Sequence, residues 1–148
     1  MIRTIRTNDA ALVSKILREA LVDGGHSTTK KLIEEVNNPL FVGLAQEGPT
    51  GVIGAIIGRV VADEAELHEV AVARDHRRDG HGSALVRAFM AEAKLRGASG
   101  CFLEVRSINT AAVELYGSLG FEACGERKGY YRDGCDALVM RHSLGSET

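Results

Sequence analysis

Residues 66–96 read ELHEVAVARDHRRDGHGSALVRAFMAEAKLR, and this segment decides the fold. Its first seven residues belong to an extended stretch that we predict as a strand over residues 65–73. From about Gly80 to Arg96 apolar residues recur at helical spacing, which predicts an amphipathic helix that stops at Gly97. A strand that passes through a glycine-containing loop into a helix is typical of α/β proteins. The apolar face of the helix consists of Leu85, Val86, Phe89, Met90 and Ala93.

Strand-like and helix-like spacings of apolar residues continue on both sides of this segment. A first helix, with its apolar set between residues 12 and 21, is predicted to end at Asp23-Gly24-Gly25, and a second covers residues 28–37. A third follows at residues 110–119. Strands that alternate with helices and finish in a hairpin favour a mixed α/β sheet with helices on both faces, in one domain over residues 1–148. The other predicted strands cover residues 2–6, 40–46, 51–61, 101–105, 121–128 and 136–142.

Composition excludes several classes of function. The 148 residues carry a formal net charge of −2, whereas a nucleic-acid-binding surface needs a basic excess. No apolar run approaches the roughly 18 residues of a membrane span, and the N-terminus lacks the apolar core of a signal peptide. The three cysteines imply no disulfide framework, and neither they nor the five histidines have metal-ligand spacing. We therefore expect a cytoplasmic protein that needs no metal and binds neither nucleic acid nor membrane.

The loop RRDGHGS at residues 77–83 has the composition of an anion site. The first turn of a helix has unpaired N–H groups and the positive end of the helix dipole. Gly80 and Gly82 would let the backbone approach a pyrophosphate, and Arg77 and Arg78 add positive charge. The lysine of a Walker loop is absent, and a dinucleotide fingerprint would need glycine where Leu85 stands. The alternative is a glycine-rich turn that only begins a helix.

Further motifs accompany this loop in a fixed order. LEVRSINTAAVELYGSLGF covers residues 103–121, GYYRDGCDALVM covers 129–140, and VVADEAELHEVAV covers 60–72. Together with the R-x-x-G-x-G pattern of the loop, they resemble the GNAT family of N-acetyltransferases. The hairpin motif is most similar to the branch that acetylates protein N-termini, in particular the RimI-type enzymes that modify a ribosomal-protein alanine. The resemblance covers residues 55–142 well and the first 50 residues poorly.

The resemblance implies a fold and a cosubstrate. The fold is a GNAT-like twisted sheet, mixed but mostly antiparallel, with helices on both faces. The cosubstrate is acetyl-CoA. Its pantetheine arm would lie along the backbone of Val70, Ala71 and Val72, and Asn109 would contact it while also serving as a helix cap. Its pyrophosphate would be held by the loop residues Arg77, Arg78, Asp79, Gly80, His81, Gly82 and Ser83.

Glu104 is the candidate general base. Alternation in the strand CFLEV places Cys101, Leu103 and Val105 on one face and Glu104 on the other. A carboxylate inside an apolar strand is costly unless it is paired or used. The alternative is a salt bridge, with Arg106 as the nearest partner on the same face. The resemblance places the base at Glu104.

Tyr116 is the candidate general acid, which would donate a proton to the departing sulfur. A tyrosine at helical spacing is also an ordinary core residue, and position alone leaves both roles open. Its place in ELYGSLGF matches the tyrosine that the family uses as an acid. Glu69, on the strand before the loop where Glu66 also lies, is the rival base or a substrate contact, and the alternative is a solvated or salt-bridged strand position.

Tyr130 and Tyr131 are the candidate residues for the acceptor. On composition alone they are aromatic residues beside a turn at Arg132-Asp133-Gly134. The resemblance implies that they close over the first peptide units of the substrate.

The sequence therefore predicts direct acetyl transfer from acetyl-CoA to a protein α-amino group, with a ribosomal protein as acceptor. A GNAT enzyme that acts on a small amine shares the loop but not the double-tyrosine hairpin. An acyl-CoA sensor without catalysis would need neither Glu104 nor Tyr116. One departure concerns the acceptor: where RimI-type proteins have Pro-Trp before the second helix, this chain has Gly25-His26-Ser27.

Overall fold

The computed structural model describes residues 1–20 and 28–145. Within these ranges the chain forms seven strands and four α-helices, and each lies within a few residues of its predicted place. The predicted end of the first helix at Asp23-Gly24-Gly25 and the departure at Gly25-His26-Ser27 lie outside the described residues. The elements are β1 Ile2–Thr4, α1 Ala10–Ala20, α2 Thr29–Val36, β2 Phe41–Gly48, β3 Gly51–Val61, β4 Glu64–Val72, α3 His81–Leu95, β5 Gly100–Arg106, α4 Thr110–Ser118, β6 Glu122–Arg127 and β7 Ala137–Ser143.

The strands form one sheet in the order β1-β2-β3-β4-β5-β7-β6. Neighbouring strands are antiparallel except β4 and β5, which are parallel. β7 returns between β5 and β6, so the C-terminal hairpin packs its second strand against the centre of the sheet. The expected mixed, mostly antiparallel α/β sheet is confirmed.

The parallel pair of strands diverges. β4 and β5 are paired only from Glu64 opposite Gly100 to Glu66 opposite Phe102. Both strands continue beyond this point, β4 to Val72 and β5 to Arg106, without further pairing to each other. A gap therefore opens in the middle of the sheet.

β4 also carries a β-bulge at the start of this gap. On β3, Ile57 pairs with Glu69 and the next residue, Gly58, pairs with Leu67, so His68 is the extra residue of β4. Leu67 and Val70 both pack into the core beneath α3. The two residues between them, His68 and Glu69, are therefore directed to the opposite face.

Two cores lie on the two faces of the sheet. The larger core packs α3 and α4 on one face, through residues such as Leu85, Phe89 and Tyr116. The smaller packs α1 and α2 on the other, through residues such as Leu17 and Leu32. Helices on both faces are thus confirmed. Among the described residues, no helix combines the length and apolarity needed to cross a bilayer.

Candidate active site

A cleft of about 740 Å³ opens where β4 and β5 diverge. One wall is formed by β4 and β3, the other by β5, and α2 and α4 lie at its ends. Aromatic side chains from the segment between β6 and β7 complete it. The candidate residues that line this cleft are Glu69, Val70, Glu104, Asn109, Tyr116, Tyr130 and Tyr131.

The predicted anion loop lies next to the cleft rather than in its wall. It follows the carboxyl end of β4, where Arg77 Nε donates a hydrogen bond of 2.8 Å to the carbonyl of Val72. Arg78 has a φ of 71° and Gly80 a φ of 81°, so two left-handed residues turn the chain sharply into α3. This bond fixes the loop to the end of the strand that borders the gap.

The first turn of α3 has no side-chain cap. At the start of α2, Thr28 Oγ1 accepts from the amide of Lys31, and at the start of α4, Asn109 Oδ1 accepts from that of Ala112. α3 begins after Gly80, which has no side chain to do this. The amides of His81, Gly82 and Ser83 are therefore in the position from which an external anion accepts hydrogen bonds.

The space in front of this turn fits a phosphate group. A Cβ atom added to Gly80 or Gly82 would meet no atom within 4 Å. Open space, free helix amides and two neighbouring arginines are the features that a pyrophosphate requires. The predicted loop has this geometry, with Asp79 at its exposed tip.

The backbone of Val70, Ala71 and Val72 borders the gap. On one side these residues pair with β3, where Ala71 lies opposite Ala55. On the other side β5 has already diverged. Asn109 caps α4 at 3.1 Å and lines the cleft as well, so one of its two expected roles, the cap, is confirmed.

Glu104 points into the cleft, opposite the core residues Leu103 and Val105. Its side chain is 22% exposed and forms an ion pair with Arg127 of β6. The neighbour considered from sequence as a partner, Arg106, binds Asp133 through Nη1, at 3.0 and 2.9 Å from the two carboxylate oxygens. The salt bridge considered as the alternative role of Glu104 is thus present, with Arg127 as a partner. Local spacing does not reveal this partner, because β6 lies beyond β7 in the sheet.

Tyr116 belongs to both the core and the cleft. It is 8% exposed, and its ring packs edge-to-face on Phe121 with ring centroids 5.8 Å apart. Burial raises the pKa of Tyr116 to about 12. The phenol therefore carries its proton throughout the neutral pH range.

The two hairpin tyrosines are held in a fixed arrangement. Their ring centroids are 5.1 Å apart, edge to face, and the Arg106 guanidinium lies 4.2 Å above the ring of Tyr131. A side-chain hydrogen bond to Glu104, followed by burial, raises the pKa of Tyr130. Asp133 holds Arg106 in this position, because its carboxylate binds Arg106 and also accepts a hydrogen bond from the amide of Cys135. Tyr130 is thus tied to the candidate base.

Several charged residues of the cleft were not chosen as site residues from the sequence. Glu35 of α2 binds Arg59 of β3 at 3.4 Å, and His68 Nε2 lies 2.6 Å from Glu66 Oε1. With Glu69 and Glu104 they give the cleft four carboxylates from three elements. The alternation of β4 could have indicated Glu66, whereas His68 could not be found because a bulge decides its direction.

Comparisons with known proteins agree with this geometry. The model of the acetyltransferase (GNAT) family matches residues 11–121. The ribosomal protein bS18-alanine N-acetyltransferase of Escherichia coli is 45% identical over 87 residues, which are 57% of this chain and 59% of that relative. An N-alpha-acetyltransferase of Sulfurisphaera tokodaii is 31% identical over 97% of this chain and 92% of its own length. The crystal structure of the Escherichia coli ribosomal-protein-S18-alanine N-acetyltransferase superimposes with a TM-score of 0.88, at 30% identity over 100% of this chain and 96% of that one.

Proposed function

The chain belongs to the GNAT family of acetyltransferases, and from this we propose that it acetylates the N-terminal α-amino group of a protein. The observation that carries the proposal is the pair Tyr130 and Tyr131 in the wall of a cleft that also contains four carboxylates. A cleft rich in carboxylates attracts the positive end of a peptide, and tyrosine hydroxyls can hydrogen-bond its first peptide units. One relative carries the name of a ribosomal protein bS18-alanine N-acetyltransferase, so we propose a ribosomal protein as acceptor.

Acetyl-CoA is the proposed cosubstrate, and it supplies the acetyl group as a thioester. The amides of the first turn of α3, with Arg77 and Arg78, would hold its pyrophosphate. Asn109 and the backbone of residues 70–72 would hold the arm that leads into the gap. The three free cysteines suit a reducing compartment, and we place the reaction in the cytoplasm.

Glu104 and Tyr116 divide the proton transfers between them in this proposal. Glu104 takes a proton from the attacking amine, directly or through a water. Tyr116 gives its proton to the sulfur as negative charge develops there. The position of Tyr116 in the wall of the cleft supports this role, and the raised pKa means that the phenol carries the proton at neutral pH. Glu69 is the rival base, since it lines the same cleft from the other strand.

An acetylation panel tests the proposed function. Peptides that begin with Ala, Ser, Met or Gly are compared with free small amines and with a peptide whose one amine is a lysine side chain. We expect the N-terminal peptides to be acetylated with kcat/KM at least about tenfold above the small amines, because only peptides contact the hairpin tyrosines.

Tyr131→Phe provides the matched control for this panel. It removes one hydroxyl and leaves the ring beneath Arg106. We expect activity on peptides to fall while activity on small amines is unchanged. Higher activity of the unmodified protein on small amines than on any peptide would instead identify a small-amine acetyltransferase. Coenzyme binding without turnover on the whole panel would identify a sensor.

A further inference from the structure

Arg106 is a nearly buried cation in the wall of the cleft. It lies on β5 two residues after Glu104, so both side chains face the cleft, and its own side chain is 9% exposed. A buried guanidinium is costly unless its charge is paired and its N–H groups are bonded. Asp133 supplies the opposite charge, since Nη1 of Arg106 donates to both carboxylate oxygens. The proton transfers proposed above do not involve Arg106.

The turn that carries Tyr131 is closed by its own hydrogen bonds. The amide of Tyr131 donates to the carbonyl of Cys135 at 3.1 Å, and the carbonyl of Tyr131 accepts from the amide of Gly134 at 2.9 Å. Asp133 lies within this turn, and its carboxylate accepts from the amide of Cys135 at 3.0 Å. Tyr131 and Asp133 therefore belong to one unit, and a contact that holds Asp133 also holds the backbone of Tyr131.

Arg106 contacts this turn at two points. Its Nη1 binds the Asp133 carboxylate, and its guanidinium carbon lies 4.2 Å from the centre of the Tyr131 ring. A guanidinium is planar, so it can stack on a ring with its face while it donates hydrogen bonds at its edge. The ammonium group of a lysine is a compact point charge and does not combine these two contacts. Arg106 thus fixes both the place of the turn beside β5 and the direction of the ring.

The two hairpin tyrosines differ in how they are attached to β5. Tyr130 is hydrogen-bonded to Glu104, the proposed base, whose carboxylate must be free to accept a proton during the reaction. Tyr131 is attached to Arg106, which exchanges no proton in the neutral pH range. Burial, and to a lesser extent Tyr131, raises the pKa of Tyr116, so Tyr131 lies within electrostatic range of the proposed acid. Tyr131 is therefore the tyrosine with a lasting attachment beside the reacting groups.

We propose that Arg106, held by Asp133, is the positioning residue for Tyr131 and thereby sets the preference of the cleft for peptides over small amines. Arg106 keeps the Tyr131 hydroxyl where a peptide group of the acceptor can bond to it, and it acts through Tyr131 alone. A small amine has no peptide group, so its acetylation does not depend on this hydroxyl. The inference rests on the proposed N-terminal acetylation.

The test compares Arg106→Lys with the unmodified protein on an N-terminal peptide and on a small amine. Lysine keeps the positive charge of the cleft wall but loses the stacked, hydrogen-bonded geometry. We expect kcat/KM for the peptide to fall about tenfold, close to what the loss of one hydrogen bond costs. The kcat/KM for the small amine and the KM for acetyl-CoA should change less than about twofold. Arg132→Lys makes the same exchange at an exposed position of the same turn and should match the unmodified protein on both acceptors.

A double-variant cycle separates positioning from a general structural effect. If Arg106 acts through the Tyr131 hydroxyl, Arg106→Lys should lower peptide acetylation by less than about twofold further once Tyr131→Phe has removed that hydroxyl. Asp133→Asn is the second variant, because it changes a side chain that is 58% exposed and leaves the buried Arg106 in place. It keeps an acceptor for the Cys135 amide but removes the charge that holds Arg106, so we expect a loss of about threefold on the peptide alone.

The tyrosine ring signals give a readout that needs no turnover. The chain has three tyrosines and no tryptophan, so the rings can be assigned by NMR with single Tyr→Phe variants. We expect Arg106→Lys to shift the ring signals of Tyr131 and to leave those of Tyr116, which packs on Phe121, in place.

Each other result overturns the inference. Unchanged peptide acetylation or unchanged Tyr131 ring signals in folded Arg106→Lys, or in Asp133→Asn where the first variant does not fold, would remove Arg106 from acceptor recognition. Equal losses on the peptide and the small amine, or losses that multiply in the Tyr131→Phe background, would assign Arg106 a general structural role. In these cases the unmodified protein still acetylates peptides. If it acetylates none, the proposed function fails first and the inference fails with it.

Discussion

Glu104 and Glu69 lie on the two strands that border the cleft, and either carboxylate has the chemistry of a base. Glu104 has the closer link to the acceptor residues, because it pairs with Arg127 and with the hydroxyl of Tyr130. We therefore expect Glu104→Gln to lower kcat for peptide acetylation about 10²–10⁴-fold while the KM for acetyl-CoA stays constant.

Glu69→Gln is the matched variant, since it removes the same charge from the same cleft. We expect it to lower kcat by less than about tenfold. Steady-state kinetics at saturating acetyl-CoA check both values, and thermal melting verifies that both variants are folded. The reverse ranking would assign the base to Glu69.

Sequence alone could predict the direction of some of these side chains, because side chains along a strand alternate with a period of two. That period placed Glu104 opposite the buried Leu103 and Val105, and the structure confirms the face. It could not identify Arg127 as the partner of Glu104. The two residues come together because β5 and β6 both pair with β7, and β7 lies 30 or more residues after β5 in the chain. It could not place His68 either, since a bulge resets the alternation of β4.

At the scale of elements, α3 differs from α2 and α4 in how it begins. Both of the others have a side chain that accepts from their first amides, whereas α3 begins after a glycine. The strand, loop and helix could be predicted from residues 66–96, because turn chemistry and helical periodicity are local. The divergence of β4 from β5 could not, since it depends on pairings between distant segments.

Gly82→Val tests whether the start of α3 is the coenzyme site. The added side chain would enter space that holds no atom within 4 Å, so we expect the stability of the protein to change by less than about 1 kcal/mol. The same side chain would occupy the proposed pyrophosphate position and should weaken coenzyme A binding at least about tenfold, or 1.4 kcal/mol.

Gly82→Ala is the control for this variant. It adds only a methyl group to this open space, so we expect affinity within about twofold of the unmodified protein. Titration calorimetry with coenzyme A and thermal melting give the two readouts. Equal affinity of the valine variant and the unmodified protein would contradict a pyrophosphate site at this turn.

At the scale of the whole molecule, the sheet separates two cores and is itself opened by a cleft. The opening brings titratable groups to the border of the larger core. Cys101 is fully buried and Tyr116 nearly so, and both belong to that core. Burial raises the pKa of Cys101 to about 12, as it does that of Tyr116. The stability of the fold therefore depends on alkaline pH through these buried groups of the core, whereas the charged groups of the cleft are partly solvated.

The sign of this coupling predicts a loss of stability at high pH. In the unfolded chain the Cys101 thiol ionises near its ordinary pKa of about 9, whereas the folded core holds it neutral until about pH 12. Its contribution to stability is therefore complete below pH 9 and is lost as the pH rises from 9 to 12. At pH 10.5 the loss from this one group should be roughly 2 kcal/mol. Cys101→Val removes the group and keeps an apolar side chain in the core.

Urea unfolding at pH 7.5 and at pH 10.5 measures this loss in both proteins. We expect the free energy of unfolding to fall by roughly 2 kcal/mol more for the unmodified protein than for Cys101→Val. Any cost of repacking the core is the same at the two pH values, so it cancels in the comparison. Tyr116 and the lysines titrate in both proteins and cancel in the same way. Equal losses would mean that the thiol reaches water in the native state, and the larger core would then be open at β5 beside the cleft.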